Sequence, residues 1–184
     1  MSTYKEKAFE SYNKACDLVS LLFNFMNDKK LVKEGFDVKK ALNNFDVLVQ
    51  YSLVEVALSD KKFSSNELKF ISEFHRFYSF IDYLEALGFK DVTWKKLYVI
   101  DEKPLKSIME KIKAHVKLIN KDFVEYISLI DKYTPNHDYS KDLYDLMVPV
   151  ISGVIVSDQK WDSKETSFVP TIIEAILLIR QKKK

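Results

Sequence analysis

The stretch SDKKFSSNE (59–67) returns later in the chain as SDQKWDSKE (157–165). When residues 57–70 are aligned with 155–168, six of the fourteen positions are identical. An aromatic residue also occupies the same place in both copies. Each copy stands between two apolar segments, so each is predicted to be the turn of a helix–turn–helix hairpin. The hairpins are predicted near residues 45–86 and 140–180.

Apolar residues recur at spacings of three and four along most of the chain, which is typical of amphipathic helices. The 184 residues include only 3 Gly and 4 Pro, and this scarcity favours long helices over folds rich in turns. We therefore expect an all-α protein of about seven helices, packed as one domain over residues 1–184 with the two hairpins related by pseudo-symmetry. Helices are predicted over about residues 4–27, 38–59, 104–132 and 140–157, with a short one near 91–101; two more follow the repeat copies and run to about 86 and 180. Pro170 falls inside the last of these, so a kink is expected there.

The composition argues against several classes of function. The formal net charge is +2, which gives little steering toward nucleic acid. Cys16 is the only cysteine, so no internal disulfide can form. The longest apolar runs, 146–156 and 172–179, are shorter than the roughly 20 residues of a membrane helix. The charged N-terminus lacks the apolar region of a signal peptide. We expect a cytoplasmic protein without membrane insertion or nucleic-acid binding.

The repeated stretch contains a helix-capping signal. Ser64 is followed three residues later by Glu67, and Asp162 in the same way by Glu165. In a capping box the first side chain accepts a hydrogen bond from the backbone N–H three residues on, and the Glu accepts from the N–H of the cap residue. Each copy is therefore predicted to open a helix.

Asp60 and Asp158 are not explained by capping, and two interpretations remain open. Each Asp follows a helix end, where its carboxylate can accept hydrogen bonds from loop N–H groups. Alternatively, the two hairpins bring Asp60, Glu67, Asp158 and Glu165 together. Four converging carboxylates repel one another unless a cation lies between them, and oxygen ligands favour calcium, magnesium or manganese.

The stretch LVEVALSDKKFSSNELKFI (53–71) resembles the signature of the TerB-like family of bacterial tellurite-resistance proteins, which also carries a second, degenerate copy, here at 151–169. The resemblance implies an all-helical fold with internal pseudo-symmetry, and an accessory role in stress response or in larger assemblies. It also implies divalent-cation binding by the acidic residues of the two turns. The glycine of the family's turn is replaced by Lys61 and Gln159, and the neighbouring lysines would oppose a cation.

No set of nucleophile, base and orienting residue stands out, so an enzyme is not expected and neither catalytic nor cofactor-binding residues are predicted. The segment 77–81 carries four apolar residues in five, more than one buried helix face needs. The surplus predicts a protein partner or self-association. Two functional hypotheses follow: a TerB-like accessory protein that binds a divalent cation, and a metal-free helical scaffold for protein–protein interaction.

Overall fold

A computed structural model describes residues 3–59, 63–99, 103–157 and 168–181. Within these ranges the chain forms eight helices and no strand, which confirms the predicted all-α class of about seven helices. The helices are α1 Tyr4–Asp28, α2 Val38–Ser59, α3 Ser65–Ile71, α4 Phe80–Ala86, α5 Trp94–Val99, α6 Lys103–Tyr133, α7 Tyr139–Ser157 and α8 Thr171–Gln181. None of the helices in these ranges has the length and apolar character needed to cross a bilayer.

Helix α2 is the central element of the fold. Thirteen of its 22 residues are buried, because α1, α4, α6, α7 and α8 all pack against it. A helix surrounded in this way must be apolar on nearly every face. The exceptions are Asp46, Gln50, Ser52 and Glu55, and each of these side chains is used to hold another part of the chain in place.

The predicted third helix, which was expected to run to about residue 86, is two helices separated by residues 72–79. The buried Asp46 carboxylate accepts hydrogen bonds from three consecutive backbone N–H groups in this loop, those of Arg76, Phe77 and Tyr78, at 2.8, 2.5 and 3.0 Å. N–H groups bonded to a side chain cannot bond to the carbonyl four residues earlier, so no helix continues through residues 76–78. The chain resumes a helix at α4, whose cap Ser79 accepts a hydrogen bond from the N–H of Asp82 at 3.1 Å.

Pro170 precedes the last helix, and the kink predicted at this residue is absent because α8 begins at Thr171. The carbonyl of Pro170 accepts the first helical hydrogen bond, from the N–H of Glu174 at 3.0 Å. Helix α2 supplies the cap: Glu55 accepts from the N–H and the hydroxyl of Thr171 at 2.9 and 3.0 Å. Ser52 accepts from the N–H of Ile172 at 3.0 Å. Side chains of α2 thus accept the hydrogen bonds of the first residues of α8 and hold its start in place.

Helix α3 lies across α7 at a point of close approach. Gly153 of α7 faces the ring of Phe70, and a Cβ atom added at this glycine would overlap that ring. Phe70 in turn contacts Phe74, with 4.6 Å between the ring centroids. The glycine therefore allows α3 to sit closer to α7 than any other residue would permit.

Candidate functional site

Of the four residues predicted to bind a cation, the described ranges contain only Glu67; Asp60, Asp158 and Glu165 lie outside them. Glu67 is fully buried, and its Oε2 accepts a hydrogen bond from the N–H of Ser64 at 2.6 Å. The hydroxyl of Ser64 accepts from the N–H of Glu67 at 3.2 Å. The capping box predicted for the first copy is therefore confirmed, while the box predicted for the second copy falls on residues outside the described ranges.

The residues just before the two turns adopt the same arrangement. Ser59 ends α2 and donates its hydroxyl hydrogen to the carbonyl of Val56; Ser157 ends α7 and donates to Val154, and both distances are 2.7 Å. The repeat of the sequence therefore extends, as a repeat of structure, into the last turn of each preceding helix.

A cavity of about 400 Å³ is lined by one residue from each copy of the repeat, Asn66 and Ser157. It lies between the start of α1, the first turns of α3 and the end of α7, and its lining includes Asn66 beside Glu67 and Ser157 beside Asp158. Among the described residues, no group of three or more His, Cys, Asp or Glu side chains could hold a metal ion. Glu67, the one predicted ligand within the described ranges, serves as a helix cap.

A second cavity, an open groove of about 560 Å³, follows the exposed side of α6 toward α8. We call it the α6/α8 groove. Its lining residues are Lys117, Asn120, Lys121, Val124, Glu125, Ser128, Leu129, Lys132 and Leu178. Eight of these belong to α6 at spacings of one, three and four, so one face of a long helix forms most of the groove.

The rim of the α6/α8 groove is basic. Lys117, Lys121 and Lys132 are exposed and have no ion-pair partner among the described residues. The only acidic residue in the lining is Glu125, which leaves the groove with a positive charge on a chain whose total is just +2. Unpaired lysines beside a concave surface attract anionic groups.

The floor of the groove combines apolar surface with two unusual polar atoms. Val124 is buried, Leu129 is half-buried, and 41% of Leu178 is exposed to solvent. Asn120 Oδ1 and Ser128 Oγ are shielded from solvent, and neither has a hydrogen-bond partner among the described residues. Such atoms are rare because a buried polar group without a partner costs free energy. Two polar atoms of the groove floor are thus without a protein partner among the described residues.

A third cluster, around Asp46, serves structure rather than chemistry. Tyr12 donates its hydroxyl hydrogen to Asp46 at 2.6 Å, and the Cys16 sulfur lies 4.0 Å from the same carboxylate. Burial, with a smaller effect of the nearby Asp46 charge, raises the pKa of the Cys16 thiol to about 12. A thiol with so high a pKa is not an activated nucleophile, as expected for a cysteine on an apolar helical stripe.

Sequence reasoning missed both the Asp46 cluster and the groove. The signal for Asp46 was present, since FDVLVQYSLVEVAL (45–58) carries four polar or acidic residues inside an otherwise apolar helix. Such residues need partners from other elements. The groove has a weaker signal, because exposed lysines one turn apart are common on solvated helices. Only the position of α8 turns that face into a cavity.

Comparison with known proteins does not extend these observations: no protein-family model matches the chain, and searches of curated sequences and solved structures return no significant match. The resemblance to TerB-like proteins therefore remains a prediction from the repeated motif.

Proposed function

We propose that the chain is a helical protein–protein interaction module and that the α6/α8 groove is its binding surface. The observation that carries this proposal is the combination of three unpaired lysines with an apolar floor that includes the exposed Leu178. An apolar patch with a polar rim is the usual composition of a protein-binding surface. An accessory role of the TerB-like kind, in which the protein acts by joining an assembly, is consistent with such a surface.

Site-specific photo-crosslinking tests this proposal. A photoreactive amino acid is placed at Leu178 in the groove, and as a matched control at Leu21, which is also exposed but lies on α1. We expect an adduct in the native host from position 178 and none from position 21. An adduct with the mass of two chains would identify a second copy as the partner.

A variant with a filled groove distinguishes binding in the groove from non-specific crosslinking at position 178. Ser128→Trp fills the groove without changing its charge, so it should abolish the adduct from position 178 while the melting temperature stays close to that of the parent. An adduct that survives Ser128→Trp, or equal adducts from positions 178 and 21, would contradict the proposal.

The second candidate function is binding of calcium, magnesium or manganese by Asp60, Glu67, Asp158 and Glu165. Two observations favour it: Ser59 and Ser157 make the same contact before each turn, and one cavity is lined by a residue of each copy, Asn66 and Ser157. Thermal unfolding in EDTA and then in excess of each ion tests this candidate, because a ligand of the native state raises the melting temperature. A rise in the wild type that Asp60→Asn/Asp158→Asn lacks would support the cation site. No rise with any ion would remove it.

A further inference from the structure

We infer that the partner of the α6/α8 groove is an acidic amphipathic helix whose carboxylates face the lysine rim. This inference rests on the proposed function above and adds the chemistry of the partner. Its basis is the arrangement of charge, apolar floor and unsatisfied polar atoms along α6.

The dimensions of the groove suit a helix. Lys117 and Lys132 are fifteen residues apart on α6, which corresponds to about 22 Å along the axis and slightly more than four turns. An amphipathic helix of similar length would cover the whole rim. Helix-in-groove binding uses apolar residues at spacings of three and four, and Val124, Leu129 and Leu178 form the apolar floor that would receive them.

The charges select an acidic helix. Lys117 and Lys121 are one turn apart on the same side of α6, so two carboxylates one turn apart on a partner helix can each approach one ammonium group. Lysine keeps its charged group hydrated at a rim, which suits pairing with mobile carboxylates at low desolvation cost. A basic helix would instead place its positive charges against both lysines.

The floor adds a requirement for a polar side chain in the partner. Asn120 Oδ1 can only accept a hydrogen bond, and Ser128 Oγ can accept or donate. The two residues are eight positions apart, or about 12 Å along α6. A partner whose apolar stripe is interrupted by a hydrogen-bond donor, such as Gln or Ser, would satisfy Asn120 on binding.

A nucleic acid or a lipid surface fits the groove less well. The lining contains no arginine, the side chain best suited to bidentate contacts with phosphate. The exposed Leu178 and the half-buried Leu129 line a concave surface, which a flat bilayer surface would not fill. Both alternatives enter the experiment as competitors.

The test measures binding of three labelled synthetic peptides to the full chain by fluorescence anisotropy. All are amphipathic helices of about 16 residues, the length of the lysine rim, with the same leucine stripe. The exposed face carries Glu in the first, Gln in the second and Lys in the third. The chain is used as wild type, as Lys117→Glu/Lys121→Glu, and as the control Lys95→Glu/Lys96→Glu, which makes the same charge change at two exposed lysines of α5.

We expect the Glu peptide to bind wild type at least about tenfold more tightly than the Gln peptide and the Lys peptide to bind most weakly. Lys117→Glu/Lys121→Glu should lose at least about tenfold in affinity for the Glu peptide. Lys95→Glu/Lys96→Glu should bind like wild type. Raising the salt should weaken the Glu peptide more than the Gln peptide, since exposed ion pairs are screened.

Several results would overturn the inference. Equal binding of the three peptides would mean that the groove accepts any amphipathic helix, which removes the acidic partner but leaves the interaction module standing. No binding of any peptide would remove the helical partner, while photo-crosslinking at Leu178 would still decide the proposed function independently. Equal losses in the two double variants would point to general charge attraction. A further outcome is that phosphatidylserine vesicles or single-stranded DNA displace the Glu peptide in a way that depends on Lys117 and Lys121. That result would identify the competitor, and not an acidic helix, as the ligand of the groove.

Discussion

The Tyr12 hydroxyl and the Asp46 carboxylate meet at 2.6 Å inside the protein and join α1 to α2. The same carboxylate accepts hydrogen bonds from backbone N–H groups of the loop 72–79, and the Tyr12 oxygen also accepts one from the N–H of Arg76 at 2.9 Å. One buried side chain therefore holds residues 76–78 of the loop in place and joins two long helices.

Asp46→Asn should be strongly destabilising. The amide retains one acceptor oxygen, and its NH₂ group must face either the loop N–H donors at Oδ2 or the Tyr12 hydroxyl at Oδ1, so at least one donor loses its partner. Buried donors without partners cost about 1–3 kcal/mol each, and we expect the free energy of unfolding to fall by about 3 kcal/mol. Urea denaturation measures the change.

Asp17→Asn is the matched control for this variant. Asp17 is exposed and pairs with Arg76 at 2.6 Å, so its loss should cost no more than about 1 kcal/mol. Equal effects of the two substitutions would show that the buried carboxylate does not organise the loop.

The pH dependence of stability should report on Glu55. Burial raises the pKa of its carboxyl above the usual value of 4.5, although the hydrogen bonds from Thr171 act in the opposite direction. A raised pKa in the folded state means that the native protein holds the proton more tightly than the unfolded chain. The stabilisation that comes from this tighter proton binding is fully present below the unfolded pKa of Glu55. It is lost as the pH rises through the folded pKa.

Glu55→Gln removes that titration and keeps an acceptor oxygen for the start of α8. As the pH rises from the unfolded pKa through the raised folded pKa, the wild type should therefore lose stability relative to Glu55→Gln. Chemical denaturation at several pH values measures the difference. Glu85→Gln, at an exposed position of α4, should run parallel to wild type, and an equal slope for all three proteins would contradict the role of Glu55.

Gly153→Ala tests the close approach of α3 to α7. In an exposed helix this substitution stabilises by about 1 kcal/mol, because alanine is the better helix former. Here the new methyl group would overlap the Phe70 ring, and overpacking costs about 1–3 kcal/mol, so the net effect should be a lower melting temperature. Phe70→Leu in the same chain should recover part of the loss. A higher melting temperature for Gly153→Ala alone would show that the two helices are not in close contact.

Features with a local cause could be predicted from the sequence, and features that depend on distant residues could not. The amphipathic period is local, so α1, α2, α6 and α7 begin and end within about two residues of their predicted limits. The Ser-x-x-Glu signal is local too, and it correctly placed the start of α3. The break at 72–79 was missed because its cause, Asp46, is about thirty residues away in the chain. The α6/α8 groove depends on where α8 lies against α6, which no pattern within α6 contains.

Ser128→Ala should separate stability from binding at the groove. In the isolated chain Ser128 Oγ is shielded from solvent without a hydrogen-bond partner among the described residues, and alanine also has the higher helix propensity. We expect the free energy of unfolding to rise by about 0.5 kcal/mol or more. If the hydroxyl serves the partner helix, the same substitution should weaken binding of the acidic peptide. Thermal unfolding and anisotropy on one protein preparation measure both effects. Val124→Ala is the control: it removes part of the apolar floor, so it should weaken binding and also lower stability. A Ser128→Ala protein that is less stable than wild type would show that the hydroxyl already has a hydrogen-bond partner within the chain.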